Sequence, residues 1–463
     1  MPIARQKSFV EGPIIRSLLV LAIPIILANI LQAGYQLTDA FWVGRLGAAA
    51  VAAVSVSFPV TFLTIAMGAG LAVAGSTLIA QYAGARNDAT VNHIAGQTLL
   101  MVAATSIVLG GIGYGLAPYL LKLVGVEPDV YAGALGFLRV SFIGLIFVFE
   151  FAMFQAIMRG VGETVVPLYI VFGTVVLNFL LDPLLIFGWG PVPGSGVMGA
   201  ALATLVTQGL ATLLALVILR RGAYQIRLSW SSLRPDFAYI KRAFLLGFPA
   251  SIELSTRALG LVIMSFLISS FGTLTLAAYG VGSTILQVIT IPALGLSMAI
   301  STLVGQNIGA NNIERASRIS ILGAALGFGV LTAAGIFAFA FASPLVAFFV
   351  PRDANVIAEG AAFIRTMAFS WGLIGVQLCL VATLRASGNM LAAMMIALVS
   401  RWVVQFPLAY VLSKHSALAA RGLWWSFPVT NLVVAFIAIC WFAKGDWKKT
   451  RLTAEKQETP KNA

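Results

Sequence analysis

The chain of 463 residues is 60% hydrophobic and only 10% charged, whereas soluble domains carry about 25% charged residues. So few charges cannot cover the surface of a soluble globular protein, but helices that face lipid need none. The formal net charge of +13 is typical of some nucleic-acid-binding proteins. Because most of the basic excess falls on one side of a predicted membrane protein, we expect no nucleic-acid partner.

Apolar runs long enough to cross a bilayer, which takes about 20 residues, recur from residue 14 to residue 443. Charged and turn-forming clusters separate them. We therefore predict an all-α membrane protein with twelve transmembrane helices, at about 14–43, 50–81, 93–120, 133–157, 165–188, 195–219, 241–270, 275–303, 318–349, 359–384, 390–412 and 422–443.

The basic residues predict the orientation of these spans, since cytoplasmic loops carry an excess of Lys and Arg. Twelve spans place both termini on one side, where we count twenty Lys and Arg, Arg385 among them, against five on the other. Four more lie within spans: Arg139, Arg257, Arg365 and Arg401. We expect a multi-pass protein of a bacterial or archaeal cytoplasmic (inner) membrane, with both termini in the cytoplasm.

The two halves of the chain repeat each other. A single shift of the sequence against itself aligns Pro24 with Pro249 and Gln81 with Gln306. One further position of shift aligns MRGVGET, from Met158, with LRASGNM, from Leu384. A nearly constant offset indicates duplication. Since each half has an even number of spans, the halves share one orientation and are related by an axis along the membrane normal.

The repeat predicts two pseudo-symmetric six-helix bundles. We assign residues 1–220 to an amino-terminal lobe and 241–443 to a carboxy-terminal lobe. A polar segment at 221–240 is interpreted as a cytoplasmic linker and 444–463 as a basic cytoplasmic tail. The Gly-rich MGAGLAVAG, from Met67, resembles a dinucleotide fingerprint, but it lies inside an apolar span and is better interpreted as a site of close helix packing.

Several segments resemble the MATE family (multidrug and toxic compound extrusion), in a superfamily that also holds lipid-linked sugar flippases. They are PIILANILQAGYQLTDAFWVGRLG in span 1, AQYAGA and GQNIGA after spans 2 and 8, MRGVG and LRASGN after spans 4 and 10, and LNFLLDPLLIFG in span 5. The resemblance extends through residue 443. It implies H⁺- or Na⁺-coupled export of amphipathic, often cationic, organic compounds by alternating access.

Carboxylates inside spans are expensive to bury and therefore predict function. Asp39 and Asp182 lie about five and six residues before the outer ends of spans 1 and 5, so they share a similar depth. Tyr35 and Asn178 precede them by four residues, on the same helix faces. Pro183 breaks the backbone hydrogen bonding beside Asp182 and frees the carbonyl four residues back, at Phe179. These groups can form a proton site or a Na⁺ site, with Asp39, Asn178 and Asp182 as Na⁺ ligands, although a purely structural pair stays an alternative.

The tetrad Tyr35, Asp39, Asn178 and Asp182 also resembles the cation-binding cluster of archaeal and DinF-like MATE proteins. That likeness implies a placement nearer to the DinF-like branch than to the NorM branch. By analogy, Thr204 and Gln155 are candidate additional members of the cluster.

Glu253, Arg257 and Glu150 are further candidates. Glu253 and Arg257 are four residues apart in span 7, so they are either an intrahelical ion pair or a coupling site. The NorM branch carries a coupling glutamate about one turn later, where this chain has Arg257. Glu150 in span 4 has no counterpart in the resemblance.

The prediction from these features is a secondary active multidrug exporter that works as a monomer in contact with membrane lipid, without a cofactor. A lipid-linked sugar or lipid flippase is the alternative. An enzyme is not expected, because the two histidines, His93 and His415, fall near opposite membrane faces. Direct use of ATP is not expected either, because no Walker A sequence is present.

Overall fold

The computed structural model describes residues 9–222, 224 and 226–453. In these residues, eleven helices are long and apolar enough to cross a membrane, and the number becomes twelve when one bent pair of helices is counted as a single span. The predicted all-α fold with twelve spans is therefore confirmed.

The amino-terminal half contains six long helices joined by short turns. They are α1 (Ile14–Gly44), α2 (Ala48–Gly84), α3 (Asp88–Val124), α4 (Pro128–Gly160), α5 (Val165–Phe187) and α6 (Val197–Arg220). A two-stranded antiparallel hairpin, β1 (Gly188–Trp189) and β2 (Val192–Pro193), connects α5 to α6.

The carboxy-terminal half follows a 3₁₀ turn at Ser231–Leu233, and its helices are less regular. Its helices are α7 (Phe237–Ser269), α8 (Thr273–Gly309), α9 (Ile313–Ala340), α10 (Ala342–Phe349), α11 (Ala354–Ala368), α12 (Trp371–Ala386), α13 (Met390–Lys414) and α14 (Ala420–Lys444). The predicted tenth span is broken, since α11 and α12 meet at 53°. Within α13, Val399–Gln405 forms a π-helix.

The sequence repeat is visible in local structure where α2 and α8 end. Arg86 and Asn311, which the repeat aligns, both adopt left-handed backbone angles, with φ of 57° and 61°. The next residues, Asn87 and Asn312, cap the helices that follow, each accepting a hydrogen bond from the backbone N–H three residues on. Equivalent sequences therefore form the same turn in each half.

The two halves pack against each other through glycines, with α2 against α7 and α1 against α8. A Cβ at Gly70 would lie 2.1 Å from the backbone nitrogen of Ser251, so only glycine allows this approach. The hydroxyl of Ser251 donates to the carbonyl of Met67 at 2.6 Å. Close helix packing at the Gly-rich segment of α2 is thus confirmed.

We call the face at which α2 and α8 end, at Gly84 and Gly309, the termini face. Phe9 and Trp447, near the two ends of the described chain, are both buried. Arg451 Nη2 donates to the carbonyl of Gly309 at 2.8 Å, so the chain after α14 folds back across this face. The predicted lobe, linker and tail boundaries stay predictions, and residues 454–463 of the tail lie outside the described residues.

Candidate functional site

The structure brings Asp39 of α1 and Asp182 of α5 together. Their carboxyl groups lie within hydrogen-bonding reach of each other, and Asn178 lies within reach of both. Asn178 Nδ2 donates to Asp182 Oδ1 at 3.2 Å. The sequence predicts that the two acids lie at a similar depth in the membrane. In the structure their side chains also contact each other and so join α1 to α5.

A second polar contact joins α1 to α6. The hydroxyl of Tyr35 lies 2.8 Å from the hydroxyl of Thr207, and it also interacts with Thr204. Thr204 was a sequence candidate, whereas Thr207 was missed. The sequence could have indicated Thr207, because it lies about one turn after Thr204 on the same face of α6.

The cluster of Asp39, Asn178 and Asp182 has unused hydrogen-bonding capacity. Asp182 and Asn178 are fully buried, and Asp39 is partly buried. Asp39 Oδ1, Asn178 Oδ1 and Asp182 Oδ2 are each buried without a hydrogen-bond partner. Such groups are costly to leave unpaired. A shared proton or a small cation that accepts oxygen ligands, such as Na⁺, fits these three oxygens.

The structure separates two other candidates from this cluster. Gln155 lies five residues before the end of α4 at the termini face, whereas Asp182 lies seventeen residues along α5 from that face. At about 1.5 Å per residue their depths differ by roughly 18 Å, so Gln155 does not join Asp39 and Asp182. Glu150 is partly buried in α4 and has no polar partner among the described side chains.

Glu253 of α7 is almost completely buried and binds two arginines rather than one. Arg257 Nη2 lies 3.2 Å from Glu253 Oε1, as the i,i+4 spacing predicted. Arg385 of α12 donates from Nε to Glu253 Oε2 at 3.0 Å and from Nη2 to Glu253 Oε1. In the sequence, Arg385 is counted with the cations on the side of the termini. Arg385 lies in the last turn of α12, and its side chain turns inward to Glu253 and is 14% exposed.

The comparison with protein families decides what kind of protein carries these sites. The MatE family model matches the chain twice, over residues 24–184 and 249–411. The chain belongs to the MatE family. The two matches begin at Pro24 and Pro249, which are the residues that the internal repeat aligns. Proteins of the MATE family are membrane transporters.

Relatives of this MATE transporter match it over almost its whole length. It is 29% identical over 456 residues to the probable multidrug resistance protein YoeA of Bacillus subtilis, covering 98% of each chain. It is 27% identical to the probable multidrug resistance protein NorM of Thermotoga maritima, over 96% of each chain. It is 26% identical to a FAD transporter of Shewanella oneidensis, over 93% of this chain and 94% of that one.

Solved MATE structures have the same fold. A crystal structure of MATE in complex with MaL6 superposes with a TM-score of 0.89, covering 96% of this chain and 99% of that one at 23% identity. Because relatives with NorM names occur among the matches, the placement of this transporter nearer to the DinF-like branch stays a prediction.

Proposed function

We propose that this MATE transporter exports organic compounds in exchange for H⁺ or Na⁺, with Asp39 and Asp182 carrying the coupling cation. The observation that supports this assignment is the contact between two carboxyl groups that, together with Asn178, hold three buried oxygens without hydrogen-bond partners. Two adjacent carboxylates cannot both ionise at low cost, so the pair should hold a proton or a cation for part of the cycle.

Release of that cation would alter how α1 and α5 pack. Pro183 follows Asp182 directly, and a proline inside a helix removes one backbone hydrogen bond and permits bending. Thr207 and Tyr35 link the same end of α1 to α6. A change of charge at Asp39 would therefore act on a helix that contacts both α5 and α6, and so on the shape of the amino-terminal lobe.

The energy available from one cation is sufficient for export. One charge that moves down about 150 mV releases about 3.5 kcal/mol. That energy supports a gradient of about 300-fold for a neutral substrate.

The relatives named as multidrug resistance proteins favour an exporter over the flippase alternative. The predicted substrates of the amino-terminal lobe are amphipathic and often cationic, since its acids would attract such compounds. We further propose a monomer in the cytoplasmic membrane with both termini in the cytoplasm. A reporter active only in the periplasm should stay silent when fused after Lys448, and activity there would contradict the twelve-span orientation.

The function is tested by ethidium efflux from whole cells or inside-out vesicles, with the H⁺ and Na⁺ gradients collapsed separately. We expect efflux to stop when the coupling gradient is removed and to continue when the other is removed. Efflux that survives the loss of both gradients would contradict secondary active transport.

A further inference from the structure

The carboxy-terminal half contains a cavity of about 350 Å³ lined by α7, α8, α11, α12, α13 and α14. Met264, Phe363 and Phe427 lie in its lining but are buried, Leu261 supplies exposed apolar wall, and Phe62 of α2 borders the cavity from the amino-terminal half. This volume lies within the usual range for small-molecule pockets, and aromatic and methionine side chains suit a flat apolar ligand.

The charges around this cavity do not balance. The charged residues that line it are Glu253, Arg257 and Arg401, and Arg385 binds Glu253 from behind. Three guanidinium groups therefore face one carboxylate. Glu359, in the neighbouring α11, accepts a hydrogen bond from the indole of Trp424 at 2.8 Å rather than one from an arginine.

Of the three arginines at this cavity, Arg401 is the one that has no carboxylate partner among the residues that the structure describes. Its Nη1 donates to the amide oxygen of Gln405, a neutral group. It is only partly exposed, and it lies close enough to Arg257 for mutual repulsion. An uncompensated charge inside a membrane protein is costly, so it indicates a binding function.

The local backbone is built to place Arg401 at the cavity. The π-helix Val399–Gln405 contains Arg401, and such departures from α-helix occur frequently at functional sites. Gly260 of α7 packs against this side chain, since a Cβ there would lie 3.4 Å from Arg401 Cδ, an ordinary van der Waals distance. Close packing of α7 against α13 thus holds the guanidinium group in position.

We infer that this cavity is a second binding site, which takes an organic anion with a carboxylate or phosphate group and a flat apolar body. Arg401 and Arg257 bind the anionic group, because a guanidinium fork matches the oxygens of a carboxylate or a phosphate. Phe62, Leu261 and Phe427 contact the apolar body. The site goes beyond the proposed coupling function, which uses acids in the other half of the chain.

The test uses purified transporter in phosphatidylcholine nanodiscs and two probes of nearly the same shape, of which only one is charged: naphthalene carboxylate and its neutral amide. Calorimetry should give a dissociation constant about tenfold or more lower for the carboxylate. The variant Arg401→Gln should weaken carboxylate binding by about tenfold or more, and Arg401→Lys by less, while amide binding stays unchanged. The matched control is Arg365→Gln, an exposed arginine in α11, which should leave both constants unchanged.

Equal binding of the two probes, or carboxylate binding that survives Arg401→Gln, would overturn this inference. Displacement of the carboxylate by phosphatidylglycerol would overturn it too, by identifying the occupant as lipid. Should Arg401→Gln fail to fold, Arg257→Lys and Arg401→Lys keep the charges and test the forked geometry instead. Asp39→Asn should leave carboxylate binding intact, so failure of the coupling proposal and failure of this one are distinguishable.

Discussion

Gln81 of α2 donates a hydrogen bond from Nε2 to the backbone carbonyl of Ala386, at the end of α12, at 2.7 Å. The contact has a partner in the repeat, because Gln306 of α8 donates to the carbonyl of Gly160, at the end of α4, at 2.9 Å. The repeat aligns Gln306 with Gln81, and it aligns Ala386 with Gly160. Each half thus holds the other at the termini face through equivalent atoms.

The first prediction concerns these two glutamines. The double change Gln81→Ala with Gln306→Ala removes both hydrogen bonds between the halves, each with a net value of about 1 kcal/mol, and also the one that Gln81 Oε1 accepts from the backbone N–H of Leu452 at 2.8 Å. We expect the equilibrium to shift about tenfold or more towards states in which the halves separate at the termini face. Spin labels at Asp88 and Glu314, both exposed, report that separation as a longer distance. Gln36→Ala, an exposed glutamine of α1, is the control, and equal distance distributions for both variants would contradict the prediction.

The second prediction concerns the glycines beside those glutamines. A Cβ at Gly84 would lie 1.9 Å from the carbonyl oxygen of Gln306, and one at Gly309 would lie 1.8 Å from that of Gln81. Gly84→Ala should therefore disfavour the closed termini face by about 1–3 kcal/mol, the usual cost of overpacking. The spin labels at Asp88 and Glu314 measure the resulting increase in the distance between the halves. Gly173→Ala in α5, where a Cβ meets nothing within 4 Å, should leave the distance unchanged.

The third prediction concerns the carboxylate pair. Asp39→Asn and Asp182→Asn should each abolish gradient-driven efflux while folded protein remains in the membrane, because a single carboxyl cannot share its proton with a neighbour. Each change should also flatten the pH dependence of substrate binding between about pH 5 and 8, the range that a coupled, buried carboxyl pair can reach. The checks are efflux from cells and binding by purified protein. Asp129→Asn, at the start of α4, is the control. Wild-type efflux and pH profile in both pair variants would show that the coupling site lies elsewhere.

The fourth prediction concerns Glu253. Glu253→Gln leaves Arg257 and Arg385 without their carboxylate, and breaking a buried pair in this way costs about 3–5 kcal/mol. The thermal unfolding temperature in detergent should fall. Adding Arg385→Gln should recover more stability than adding Arg257→Gln, since the Arg385 side chain is 14% exposed and that of Arg257 is 30% exposed.

The control for Glu253 is Glu314→Gln, because the pair that Glu314 forms with Arg318 is exposed and contributes little to stability. Normal stability of Glu253→Gln combined with abolished transport would instead make Glu253 a coupling residue.

The fifth prediction concerns the segment that leads into α7. Asp236 caps that helix, and the backbone hydrogen bond from Tyr239 is the main reason why the pKa of the Asp236 carboxyl lies below its ordinary value. The salt bridge to His93 at 3.3 Å acts in the same direction. A folded-state pKa below the unfolded value means that Asp236 stabilises this segment at neutral pH and loses that effect as the pH falls through the folded value.

Hydrogen exchange of residues 226–240, corrected for intrinsic rates, measures this effect. Protection should hold from pH 7 to about pH 5, above the ordinary range of an aspartate, and decrease in stronger acid. Asp236→Asn keeps a good capping residue and should show a weaker acid dependence. Identical acid profiles for the two proteins would exclude Asp236 as the cause.

Sequence alone determined the features of this protein that follow from the thickness of the bilayer and from the geometry of residues close together in the chain. Twelve spans follow from apolar length, because bilayer thickness fixes how many residues a helix needs. The repeat places Pro24 opposite Pro249 and gives equivalent turns at Arg86 and Asn311. The i,i+4 spacing was sufficient to pair Glu253 with Arg257 and Asn178 with Asp182.

Tertiary structure alone decided which helices bring these residues together. The sequence does not show which side of a span faces lipid and which faces the protein, because both environments accept apolar side chains. For that reason the sequence does not single out Thr207, groups Gln155 with acids at another depth, and does not show that Arg385 turns inward to Glu253. The position of Arg401 also depends on a π-helix and on the closeness of Gly260, and both are set by packing between α7 and α13.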